Sequence, residues 1–119
     1  AVATAPNPLL IKVMLAQAMI ATKDAKLADE AIAYLRQALT TDPDIADGYA
    51  QLAMAYGRKG DYAQADLASA QAAFTRGDIG TARQLAARAK DRFPVGSPGW
   101  VKADDIASYR PPSAAPRGR

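Results

Sequence analysis

The residues that could carry chemistry are few, and their types narrow the field at once. The chain has neither histidine nor cysteine. Without them there is no imidazole base for a serine-type triad and no thiolate nucleophile. An ordinary zinc site would also lack its main ligands. Serine occurs at Ser69, Ser97, Ser108 and Ser113 with no histidine to activate any of them. Asp42 with Asp44, and Asp104 with Asp105, form carboxylate pairs. Helix starts and solvated faces account for them, because aspartate is favoured at caps. The run Gly57-Arg58-Lys59-Gly60-Asp61 has two glycines but lacks the GxxxxGK[ST] spacing of a phosphate loop. These residue types suit binding rather than bond-making, and no cofactor or metal is expected within the chain.

The net charge of +3 belongs to the end of the sequence. Acidic and basic residues balance up to position 106, and Arg110, Arg117 and Arg119 supply the excess. A nucleic-acid partner needs a clustered basic face, which this distribution does not offer. No apolar run reaches the roughly 20 residues of a transmembrane helix. At 119 residues the chain reads as one domain. Its apolar half is rich in alanine and only 7% of the chain is aromatic. That composition suits closely packed helices better than a sheet.

The elements follow from periodicity and breakers. Residues 1–6 read as a linker without the basic and apolar blocks of a signal peptide, and the sequence resembles a fragment cut mid-chain. Asn7-Pro8 marks a first helix start. That helix is apolar almost all round, from Leu9 through Ile20. A second helix is expected at about Leu27–Thr40, with a stripe at Ala28, Ala31, Ile32, Leu35, Ala38 and Leu39. Pro43 stops it, and Asp44 is a candidate cap for a third helix at about Ile45–Arg58. Gly60-Asp61 and Gly77-Asp78 separate a fourth, Tyr62–Thr75, and a fifth ending at Arg92. Ser97-Pro98 opens a sixth. The domain is expected to span 7–108, with 109–119 as a disordered Pro/Arg tail.

The chain repeats itself. Residues 34 apart pair in kind: Leu15 with Tyr49, Ala18 with Leu52, Ala31 with Ala65, Ala38 with Ala72. Residues 17 apart align Gly60-Asp61-Tyr62 with Gly77-Asp78-Ile79 and Ala65 with Ala82. The unit is therefore one helix and one turn, and two units make a repeat. Small residues are needed where antiparallel helices cross, and large ones fill the gaps beside them. On this basis the core should contain Leu15, Ala31, Leu35, Ala38, Tyr49, Leu52, Tyr56, Ala65, Ala82 and Ala89, with Trp100 closing its end.

The order Tyr49-x-x-Leu52-Ala53-x-x-Tyr56, Gly60-Asp61-Tyr62, Ala65 resembles a tetratricopeptide (TPR) repeat. The resemblance covers residues 9–95. It implies an all-α, right-handed solenoid of antiparallel helix pairs, about six helices in total, the sixth serving as a cap. Asp66 and Ser69 depart from the pattern where large residues are expected. The runs LRQALTTDPD, YAQLAMAYGRKGD and ADLASAQAAFTRGDIGTARQLAARAKDRFPVGSPGW, followed by ADDI, are similar to the C-terminal TPR domain of bacterial BepA/YfgC-like zinc metallopeptidases. That family's HExxH motif is absent here. The similarity therefore implies a non-catalytic, periplasmic half that binds substrates, outer-membrane assembly partners or its own protease domain, with zinc only in a separate catalytic region.

By the TPR analogy, first helices line a concave face. Val13, Ile20, Lys23, Asp47, Ala50, Met54 and Arg58 would point into it and meet a peptide or a partner's helix. Positions that clamp a carboxylate in chaperone-binding TPR domains hold Ala16, Ile20, Ala50 and Met54, which favours apolar contact. Tyr34 and Arg36 read as solvent-side residues. Two other readings are a stand-alone adaptor and a structural domain whose first helix buries against a protease.

Overall fold

The computed structural model describes residues 8–22 and 24–111. The proposed linker, the Asn7 cap, Lys23 and the end of the tail lie outside the described residues. Six helices follow one another: α1 Pro8–Ala21, α2 Ala25–Thr41, α3 Ala46–Arg58, α4 Tyr62–Thr75, α5 Ile79–Arg92 and α6 Pro98–Ala107. The described residues form no strand, and the chain is all-α.

Two of the turns are built alike. After α3, the Gly60 N–H donates to the Gly57 carbonyl and the Asp61 N–H to the Tyr56 carbonyl, both at 3.0 Å. This is a Schellman closure, and it requires a left-handed residue. Gly60 supplies it at φ 79°. The Asp61 carboxylate then accepts the Gln64 N–H at 3.2 Å and caps α4. Gly77 and Asp78 repeat the arrangement between α4 and α5, with Gly77 at φ 86°. Each Gly-Asp pair thus ends one helix and begins the next. Replacing Gly60 by alanine should cost about 1 kcal/mol through its positive φ. Gly57→Ala, three residues earlier and inside α3 with open space around it, should instead stabilise by about 0.5 kcal/mol. Thermal unfolding of the two variants should show shifts of opposite sign. A stabilised Gly60→Ala would contradict the turn.

The other caps follow local chemistry. Asp24 accepts the Lys26 N–H at 2.8 Å and starts α2 two residues earlier than the sequence suggests. Ser97 accepts the Trp100 N–H and opens α6. Asp44 is not the cap of α3. Ile45 holds that position, and the Asp44 N–H donates to Asp42 Oδ1 at 3.0 Å, closing the turn around Pro43.

Each helix packs on its neighbours in the chain; α1 also touches α3, and α4 touches α6. By contrast α2 and α4 stand apart across α3, and α3 and α5 stand apart across α4. The principal extents are 52 × 43 × 19 Å, and the short one fits two layers of helices at ordinary packing distances. The main core joins Val13, Ala16 and Ile20 of α1, Leu35 and Leu39 of α2, and Leu52 and Tyr56 of α3. A smaller core joins Leu67, Ala89 and Ala103, with Phe93 and Ile106 against it. Ala31, Ala38, Ala82 and Ala89 have no exposed surface, so the helices meet there at close range. Tyr49 and Ala65 are partly buried against the main core.

Three expectations about packing need correction. Leu15 is 44% exposed and lies outside the core. The buried side of α1 is Val13, Ala16 and Ile20. A helix apolar on every side gives no amphipathic signal to set its rotation. Trp100 is only half-buried, and the end of the core is closed by Phe93, Ala103 and Ile106. The Trp100 ring instead lies 4.9 Å from Lys90 Nζ, which also bonds Asp104 at 2.7 Å. Tyr109 belongs to the folded body. Its ring meets Phe74 edge-on with centroids 4.8 Å apart, and its carbonyl accepts from Arg83.

Candidate functional site

The backbones of α3 and α5 do not approach each other closely, and a groove opens between them over α4. Ala50, Ala53 and Met54 form one wall, and Thr81 and Leu85 the other. The floor is small because α4 presents Ser69, Ala72 and Ala73 there. The volume is ≈ 490 Å³, within the range of sites that hold a ligand or a partner's side chains. Met54 is 51% exposed at its edge. At one end Arg76 meets Asp47 at 3.4 Å, a pair too exposed to contribute much stability. The groove is apolar along its length and charged at that end.

Of the residues expected on a concave face, Ala50 and Met54 line this groove and Asp47 stands at its end. Arg58 is exposed but does not line it. Val13 and Ile20 do not face a groove at all. They are 5% and 2% exposed and belong to the main core. The 34-residue period puts Val13 and Ile20 in phase with Asp47 and Met54 of α3, and α1 is rotated away from that phase.

The structure also contains an ion cluster that the pattern of repeats did not reveal. Asp66, buried to 9% exposure, is bound by two arginines from α5. Arg88 donates to both carboxylate oxygens, at 3.2 and 3.0 Å, and Arg92 Nε lies 3.0 Å from Oδ2. Arg92 also lies over the Tyr62 ring at 5.9 Å. This fork-shaped recognition of a carboxylate is what arginine does best. It replaces the large apolar residue expected at position 66. The available signal was a carboxylate on an otherwise apolar face with arginines one turn apart on the next helix.

Arg36 is exposed on the solvent side of α2 and is also held by a partner. Its Nε donates to the Tyr56 hydroxyl at 2.9 Å, and its Nη2 also bonds that oxygen. At the end of α3, Asp29 pairs with Lys59 and holds the amine above its ordinary pKa by hydrogen bonding and charge. Among the described residues, no three acidic, histidine or cysteine side chains stand together to hold a metal ion. No helix among them is long and apolar enough to cross a membrane. No protein-family model, curated protein or solved structure matches the chain.

Proposed function

We propose that this chain is a non-catalytic protein–protein interaction module. In this reading it is a TPR-like solenoid that forms the substrate- or partner-binding C-terminal part of a periplasmic zinc metallopeptidase of envelope quality control. The observation that carries the interaction role is the apolar groove between α3 and α5, with the exposed Met54 at its edge. Methionine repacks readily around varied apolar side chains, and an apolar groove walled by two helices suits an extended or helical segment. The parent activity rests on the sequence resemblance alone.

The test is selection of a random peptide library on the full chain, followed by titration of the enriched peptides. Met54→Asp should weaken binding about tenfold or more, because it places a charge where an apolar anchor is buried. Glu30→Lys, on the exposed side of α2, should leave it unchanged. Peptides indifferent to Met54→Asp would remove the groove from the interaction.

A second reading has its own observation. Ile11, Met14 and Leu15 leave an exposed apolar face on α1, as a helix that packs on a further domain would. Sedimentation of the isolated chain tests it. A monomer at high concentration with unchanged compactness would argue against burial of that face.

A further inference from the structure

A second cleft lies on a different face of α3 and α4. It opens where α2 and α4 stand apart, with Lys102 of α6 at its edge. Its volume is ≈ 250 Å³. The lining contrasts with that of the first groove. Arg36 and Lys102 contribute positive charge, Tyr49 and Tyr56 phenols, and Gln64 and Gln71 amides, while no carboxylate faces it. Leucines from α2, α3 and α4 form its apolar parts.

Tyr56 is the polar group that asks for a ligand. It is only 6% exposed. Its oxygen accepts twice from Arg36, so its own O–H must donate in another direction. Among the described residues no protein acceptor meets that proton. The bound guanidinium polarises the phenol and makes it a stronger donor. Burial, and then the charge of Asp44, hold the Tyr49 phenol above its ordinary pKa. Donors and cations converge on one apolar-walled space.

We propose that this cleft binds a small organic anion, a carboxylate carried on an apolar body of roughly ten heavy atoms, the room that several displaced waters leave. The carboxylate accepts the Tyr56 O–H and pairs with Arg36 and Lys102, and the apolar body lies on the leucines. The site is separate from the groove that lines Met54 and does not rest on the function proposed for it.

Phenylbutyrate and its neutral amide, titrated against the full chain by nitrogen–proton correlation NMR, test the assignment. Shifts should centre on residues 36–40 and 64–71, with the acid bound about tenfold tighter than the amide. Tyr56→Phe should weaken the acid about tenfold and the amide, whose neutral carbonyl accepts a weaker bond, by clearly less. Lys102→Gln, at an exposed position that leaves the core intact, should weaken the acid about threefold. Acetyl-Ala-Phe with a free terminus identifies the source of the carboxylate. Tighter binding than phenylbutyrate assigns a chain end, and weaker binding a free acid. Equal affinity for acid and amide, shifts centred on Met54 and Leu85, or none at about 10 mM ligand, where affinity is negligible, would overturn the proposal.

Discussion

Leu35→Ala should lower the stability of the folded chain by about 3 kcal/mol, the largest loss expected from any single truncation here. Leu35 has no exposed surface and is one of the largest side chains to be fully buried. It sits in the cluster that joins α1, α2 and α3. The mutation removes apolar contact and leaves a cavity. Its neighbours include Ala16, Ala31 and Ala55, which are too short to refill it. Tyr56 is pinned through its hydroxyl to Arg36 and is poorly placed to move. Urea unfolding followed by circular dichroism should show the loss as a lower midpoint with little change in slope. A loss below about 1 kcal/mol would mean that α1 is not held against α2 and α3 as described.

Asp66→Ala is the second large effect, expected at about 2 kcal/mol. A wholly buried ion pair that loses one partner costs about 3–5 kcal/mol. Here the carboxylate is buried but Arg88 and Arg92 are half in solvent, with 59% and 48% of their side-chain surface exposed. They can rehydrate when Asp66 is gone, which lowers the cost. What is lost is the bidentate bond, the second arginine and the packing of the side chain between α4 and α5. A thermal unfolding midpoint lower by roughly 8 °C would correspond. The double variant with Arg88→Ala should lose clearly less than the sum of the two single variants, because both remove the same contact. Additive losses would show that Asp66 and Arg88 act independently. Asp66→Leu should fall closer to the parent than Asp66→Ala, since an apolar residue of similar size refills the space.

The two predictions differ in how far they could be read in advance. Leu35 lies on a clean helical stripe, and its burial follows from the stripe once α2 is recognised as a helix. Asp66 has no such mark. Its carboxylate lies on α4, whose apolar residues surround the axis without a clear face, and a lone aspartate there reads as a departure from the repeat. Only the approach of α5 turns that departure into a contact.

Sequence alone determined the parts governed by local chemistry. Helix ends at Gly60-Asp61, Gly77-Asp78, Pro43 and Ser97-Pro98 follow from backbone freedom, lost donors and side-chain caps, all of which act within a few residues. The all-α class and the buried stripe of α2 follow from periodicity. Tertiary structure decided the rest. It set the rotation of α1, buried Val13 and Ile20, and left Leu15 outside, because an all-apolar helix is turned only by what it packs on. It docked Tyr109 on Phe74 beyond the last helix. It also separated α3 from α5 and α2 from α4, and both clefts exist only because of those spacings. Distances between helices that are not adjacent in the chain depend on the accumulated angles of every pair between them, and no local pattern records that sum.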